Sequence, residues 1–461
     1  MAAQEFRHKL EQLPGQDKRL LGALFAIAFT ALAVGGIAGL AVVMDAAGFI
    51  KLTYQKLFQF LTLHASYLFY YWIYSAEAAL VLTFILVYTK GARLTQATRG
   101  VAWAGVLLIA AGFALNLIAV AKGAVPTYKA EYPLIKQYGA AGAMFLLGFI
   151  MLSLGLFLVA LTGIATAIKP KLDGVVKEWS SITFASLVWM GLVIVTTVVA
   201  ALLAYVQALQ DLLGMTPVIK NFNYSMSWGV MFHNLHYLPI MGAVLVWYVL
   251  AEVTTGVKSI FGERFSKGIF SLYLLVVPPT SVYHMFLEPS VPAHIKVVGS
   301  ILSLGVSIPT IAVGMLILAS LHACASSREK GALAWLRHLP WRNPSFSALA
   351  MAMVSALGGG VIANVIIQEK FEALLGDTFA VPGYFHFFTL GAVTLAIFGI
   401  LTQVIPALTG HRLYAPSLLN LMPYAMVAGA YIFGIAGVLA GYTGVPRKTL
   451  DFSFQGIAPQ S

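Results

Sequence analysis

The run "VPGYFHFFTLGAVTLAIFGILTQVIPAL", residues 381–408, contains no Asp, Glu, Lys or Arg, and its ionisable side chains are Tyr384 and His386. A stretch of about 18 or more apolar residues can cross a bilayer, where only a helix satisfies its own backbone. Ten further runs read the same way. Together the predicted spans lie near 20–45, 57–89, 101–121, 138–168, 182–210, 226–254, 267–287, 295–322, 346–368, 383–409 and 417–442. With 60% apolar and 10% charged residues, the 461-residue chain is far from a soluble composition. The expected fold class is all-α, a polytopic membrane helix bundle of about 11 transmembrane helices. Short connections imply a single membrane domain over 1–461, with a cytoplasmic N-terminal segment (1–19), the bundle (20–442) and an outer tail (443–461).

The net charge of +11 is informative through its distribution. With eleven spans the connections alternate sides, and the side holding the N-terminus carries 18 of the 28 Lys and Arg residues against 10 on the other. Basic excess follows the cytoplasmic side. The N-terminus therefore reads as cytoplasmic and the C-terminus as outer or periplasmic, in the inner membrane of a prokaryote. The surplus is topology and argues against a nucleic-acid partner. The segment "MAAQEFRHKLEQLPGQDKRLL", residues 1–21, is too polar for a cleaved signal and reads as a cytoplasmic lead-in. Cys324 is the only cysteine, which excludes an internal disulfide, an iron–sulfur cluster and a dinuclear copper–thiolate centre. No Walker or dinucleotide-binding pattern occurs, so the chemistry is expected inside the bundle.

Ten histidines are present. His8, His338 and His411 fall in cytoplasmic segments, His294 in an outer loop and His322 at a cytoplasmic helix end. The other five, His64, His233, His236, His284 and His386, fall within spans. The second, sixth and tenth spans run inward and the seventh outward, which puts all five in the outer half of the membrane. One such histidine reads as a packed core residue. Several at one depth read as a functional site, because ionisable groups are costly in a bilayer. Imidazoles on facing helices are the usual means of holding haem or a transition metal in a bundle, so haem or copper is the expected ligand. The 29 Phe, 20 Tyr and 8 Trp are accounted for by packing and interfacial belts.

The stretches "LTLHASY" (61–67), "EYPLIKQ" (131–137), "FHNLHY" (232–237), "VYHMFLEP" (282–289), "LPWRNPSF" (339–346), "PGYFHFF" (382–388) and "VPRK" (445–448) follow in order along the chain. In order, spacing and helix placement they resemble subunit I of the haem-copper oxidase superfamily. The resemblance is strongest to the B family of oxygen reductases, and the nitric oxide reductases are related. It implies that His64 and His386 are the axial ligands of a low-spin haem b, and the depth reading agrees independently. It also implies that Arg447 and Lys448 bind haem propionates, for which two cations are suited; taken without the resemblance, they are a membrane-flanking basic pair.

The family's second centre is binuclear: a high-spin haem on one histidine faces a metal held by three more. The resemblance expects the haem ligand two residues before His386, where this chain has Tyr384. It expects a His-His pair in the seventh span, where Tyr283 precedes His284. His233 and His284 match two metal ligands. Tyr237 matches the tyrosine crosslinked to histidine in oxygen reductases, and is the candidate catalytic residue. His236 lies one turn from His233, so His233, His236 and His284 are a candidate remodelled site for a copper or iron ion; equally, His236 hydrogen-bonds within a lost centre. Three arrangements follow: Tyr384 as the phenolate ligand of a second haem, loss of that haem, or the remodelled metal site.

Proton supply bears on the choice. In the B family the route passes between the sixth and eighth spans, yet "TIAVGMLILAS", residues 310–320, has no polar side chain from Ile311 to Ala319. Tyr248 and Glu252 alone make a broken path, and Glu77 is a further buried carboxylate. The family normally continues past the eleventh span with at least one more helix, so a partner subunit is expected to seal the bundle. Electrons are expected from or to other membrane redox subunits, a cytochrome c or cupredoxin-type subunit, or a quinone. The resemblance thus implies a haem b electron-transfer subunit of a larger respiratory-chain complex, with a degenerate or remodelled binuclear centre. The alternative is an active terminal oxygen or nitric oxide reductase with tyrosine-containing ligation. The intact His64 and His386 pair weighs against a transporter or structural subunit.

Overall fold

The computed structural model describes residues 2–127, 134–195, 201–216, 224–278, 292–326, 333–366, 371, 374–376 and 378–446. The helices in chain order are α1 (Ala2–Glu11), α2 (Gly15–Ala46), α3 (Tyr54–Tyr88), α4 (Gln96–Ala121), α5 (Ile135–Leu172), α6 (Ser181–Ile194) and α7 (Leu203–Leu212). They continue as α8 (Tyr224–Thr255), α9 (Gly262–Val276), α10 (Ala293–Ala325), α11 (Pro344–Ile366), α12 (Ala380–Thr409) and α13 (Pro416–Tyr442). Among the described residues, nine helices are long and apolar enough to cross a membrane. The predicted spans beyond those nine are the fifth and seventh. The fifth covers α6 and α7 with residues 196–200 between them, and the seventh runs from α9 into residues 279–291; both stretches lie outside the described residues. The all-helical membrane bundle expected from the apolar runs is the observed architecture.

Helix starts are set by short polar caps. The Thr95 hydroxyl accepts from the Thr98 N–H while the Thr98 hydroxyl accepts from the Thr95 N–H, a reciprocal cap for α4. The Ser180 hydroxyl accepts from the Thr183 N–H at the head of α6. Gly410, at φ 73°, closes α12 in the left-handed conformation that a side chain would strain.

One compact unit comprises Pro14–Leu238 and Leu274–Leu304. Its closest helix pair is α4 against α5, antiparallel and built on glycines seven residues apart in each. A Cβ at Gly155 would fall 2.6 Å from the Gly105 carbonyl oxygen, and one at Gly112 would fall 2.5 Å from the Gly148 carbonyl oxygen. In lipid no hydrophobic force pulls helices together, so close backbone approach through small residues supplies the packing. The same seam seats Asn116, fully buried, which donates to the Phe145 carbonyl at 2.9 Å and accepts from the Tyr71 hydroxyl at 2.5 Å. One side chain thereby ties α3, α4 and α5.

At one end of this unit Asp17, 1% exposed, accepts from Arg99 Nε at 2.8 Å, and Arg99 also donates to the Leu94 carbonyl at 3.0 Å. Removing the charge of one partner leaves the other poorly compensated, at about 3–5 kcal/mol when both are buried. Arg99 is one-fifth exposed, which discounts the cost. Asp17→Asn is expected to destabilise by about 1–3 kcal/mol, read as a lowered thermal midpoint in detergent.

The other compact unit comprises Met1–Leu13, Pro239–Tyr273 and Gly305–Ser461. Here α1, read from sequence as a polar lead-in, is an amphipathic helix with Phe6 and Leu10 buried. Arg7 Nε donates to Gln403 Oε1 at 2.8 Å, and the Gln403 amide donates to the Ser345 hydroxyl at 2.6 Å, linking α1 and α11 to α12.

Candidate functional site

His64 sits on α3 with its Nδ1 3.0 Å from the Gly35 carbonyl of α2. A carbonyl only accepts, so Nδ1 carries the proton and the basic lone pair is on Nε2. One turn further along α2, a Cβ at Gly39 would fall 2.2 Å from His64 Nδ1. A Cβ at Gly35 would fall 2.7 Å from Leu68 Cγ. The stretch "GGIAG", residues 35–39, is therefore a groove cut for the imidazole and the turn that follows it.

His386 is held in the same chemical manner by other elements. Its Nδ1 lies 2.7 Å from the Pro382 carbonyl, and its ring packs on Phe433 of α13 with centroids 4.3 Å apart. The start of α12 is anchored twice over. Thr378 pairs with Pro446, and the Phe379 N–H donates to the Val445 carbonyl at 2.8 Å. Then Ala380, Gly383 and Phe387 meet Gly441, Gly437 and Gly434 so closely that a Cβ at any of these three α13 glycines would clash.

Both helices leave α geometry just past the histidine: Tyr67–Ile73 in α3 and Phe387–Thr394 in α12 are π-helical. Such turns are rare and gather at functional sites. They also rotate every later side chain away from the face that a 3.6-residue period assigns. The Ser355 hydroxyl of α11 donates to the Phe387 carbonyl at 2.8 Å, where the second of these segments begins.

Tyr384 is half-buried, with the rings of Phe385 and Phe388 set edge-on at centroid distances of 6.2 and 6.5 Å. His236 is half-buried and stacks on Phe69 of α3 at 4.6 Å, and Tyr237 beside it is half-buried. His233 belongs to α8 by its backbone, but its side chain lies outside what is described, as do Tyr283, His284, Arg447 and Lys448. Among the described residues, which do not include the His233 side chain or His284, no three His, Cys, Asp or Glu side chains converge as a metal site. His64 and His236 belong to one compact unit, Tyr384 and His386 to the other.

His64 and His386 fit axial ligation of haem iron by the chemistry of their donors. Each gives Nδ1–H to a backbone carbonyl, which fixes the tautomer and raises the basicity of Nε2. Sequence reasoning did not anticipate Gly35, Gly39 or Phe433 in these roles. The small-xxx-small spacing of Gly35 and Gly39 was a legible signal; the Phe433 contact carried none.

The family model described as "Cytochrome C and Quinol oxidase polypeptide I" matches residues 19–460. A cytochrome c oxidase subunit 1 of Thermus thermophilus is 28% identical over 219 residues, which is 47% of this chain and 39% of the relative. The match thus spans well under two thirds of that relative's length. Cytochrome c oxidase polypeptide 1 of Halobacterium salinarum is 31% identical over 90 residues, 20% of this chain and 15% of the relative. Among solved structures, a heme-copper terminal oxidase dimer superposes with a TM-score of 0.86 at 20% identity, covering 96% of this chain and 78% of that one.

Proposed function

This chain belongs to the cytochrome c and quinol oxidase polypeptide I family, the haem-copper oxidase subunit I family, and from that premise we propose that it carries electrons in a membrane redox complex on one low-spin haem b ligated by His64 and His386. The observation that carries the proposal is the matched seating of the two imidazoles, each with Nδ1–H given to a backbone carbonyl. A haem held by His64 and His386 would supply a one-electron couple. The chain's own part is to hold two Nε2 lone pairs rigidly: Gly35 and Gly39 seat His64, while Pro382 and Phe433 seat His386. Arg447 and Lys448 would neutralise the propionates.

Tyr384 and Tyr283 stand where the family resemblance expects histidines, which supports a degenerate or remodelled second centre. Any ion there would be held by His233, His236 and His284. The surrounding complex supplies other redox subunits, with a cytochrome c, a cupredoxin-type subunit or a quinone as electron partner. The basic bias of 18 against 10 Lys and Arg residues supports a prokaryotic cytoplasmic membrane with the N-terminus inside.

A pyridine haemochrome assay with metal analysis on the purified chain tests this. One haem per chain, without copper or extra iron, is expected. Two haems per chain would overturn the single-haem reading in favour of an oxygen or nitric oxide reductase with tyrosine-containing ligation, stoichiometric copper would support the remodelled site, and no haem would overturn both redox readings.

A further inference from the structure

Glu77 lies within the fully enclosed part of α3, 1% exposed. Its Oε2 accepts from Trp189 Nε1 of α6 at 3.0 Å, while Oε1 has no hydrogen-bond partner among the described residues. The same is true of two neighbours in the same region, the fully buried Ser75 hydroxyl and the Asn234 side-chain oxygen, 2% exposed. Tyr74, one turn from Glu77, donates its hydroxyl to the Leu235 carbonyl, which joins this turn of α3 to the turn of α8 holding Asn234 and His236. Each of these orphaned polar atoms calls for a small polar guest, because a buried water is retained where polar groups can bind it.

Toward the end where α3 stops and α6 begins, buried hydroxyls continue the line. Thr89 and Thr183 share a hydrogen bond at 3.0 Å across the two helices, and Thr183 meets Ser180 at 2.9 Å. Between these and Glu77 lie Thr83 on α3 and Ser186 on α6, both fully buried. Each donates to the carbonyl four residues back, at 2.7 and 2.8 Å, and so keeps its oxygen lone pairs to accept from a water. A lone ionised carboxylate buried like this, with one indole donor and no cation bonded to it among the described residues, is far too costly. Tyr74 is the titratable group beside it, and it is uncharged as a phenol.

We propose that Glu77 is a proton-exchanging carboxylic acid, positioned by Trp189 and supplied along the α3–α6 seam of buried hydroxyls, that delivers protons to the turn of α8 bearing Asn234 and His236. In the transfer the Glu77 O–H bond breaks and its proton passes to a water. As that bond breaks the carboxyl group takes a proton from the seam side, so the acid is re-formed in the same step and no electron moves. The seam shares no residue with the α8–α9 contact, where the Tyr248 hydroxyl donates to Ser266 at 3.2 Å. It stands independently of how many haems the chain holds.

Infrared spectroscopy of the purified full chain, with its bound cofactors, tests the proposal without reference to turnover. A carbonyl band of a protonated carboxylic acid is expected in the parent protein and absent in Glu77→Gln. Trp189→Phe, which keeps the acid but removes its donor, should move that band to higher frequency, so the assignment survives if Glu77→Gln does not fold. On transfer to D2O the band should shift within minutes. A Thr183→Val/Ser186→Ala double variant should slow that shift by roughly tenfold or more, since it removes polar groups a buried water needs. Absence of the band, a band still unshifted after hours, or an unchanged exchange rate in the double variant would each overturn the proposal.

Discussion

Gly39→Ala is expected to cut the haem content of the chain by roughly tenfold or more, the lower range of what losing a ligand's positioning partner does to metal affinity. The new Cβ would stand 2.2 Å from His64 Nδ1, a distance no real pair of atoms adopts. The ring cannot swing aside cheaply, because that breaks its 3.0 Å hydrogen bond to Gly35 and removes Nε2 from its position. A ligand must stay within about 0.5 Å of its productive place to bind. Gly36→Ala is the matched control. It sits in the same helix, and its Cβ would meet nothing within 4 Å among the described residues, so full haem content is expected. Pyridine haemochrome per mole of chain measures both. Full haem in Gly39→Ala would rule out His64 as the axial ligand, and the bis-histidine proposal with it.

The second large effect belongs to the α4–α5 seam. Gly155→Leu is expected to prevent accumulation of folded protein, while Gly100→Ala, whose Cβ meets nothing within 4 Å among the described residues, leaves it unchanged. At Gly155 the obstruction is the Gly105 carbonyl oxygen at 2.6 Å together with the Ile109 backbone nitrogen at 3.0 Å, and backbone cannot move as a side-chain end can. Even alanine should cost about 1–3 kcal/mol, the usual range for overpacking. Gly105→Ala combined with Gly155→Ala should cost less than the sum of the two, because once the helices part for one methyl the second meets a wider gap. Chemical denaturation in mixed micelles measures these costs, and strict additivity would mean that the two glycines do not share one contact.

The two predictions divide what was legible in advance. That the chain is a membrane bundle could be read from the apolar runs alone, and the same runs give one depth for His64 and His386 as an expectation. A bilayer forces each span to be a helix of fixed minimum length, which turns position along the chain into depth. The fifth and seventh spans are counted from hydropathy, and both include residues outside those described. Tyr384 as a departure from the family pattern was also readable, since it needed only the spacing to His386.

Rotation about each helix axis was not legible, because hydropathy is nearly uniform around a helix enclosed on all sides. Which imidazole nitrogen carries the proton depends on Gly35 and Pro382, and the π-helical turns after both histidines shift later side chains in a way no period predicts. Glu77 was visible as a buried carboxylate, but its partner Trp189 is 112 residues away and its orphaned oxygen is a property of packing. The amino-acid sequence by itself determined the class of fold and the chemistry its histidines can offer. Tertiary structure alone decided which lone pair His64 presents, which glycines make room for its ring, and which buried polar atoms have no hydrogen-bond partner among the described residues. Those depend on contacts between helices distant in sequence, where a tenth of a nanometre separates a fit from a clash.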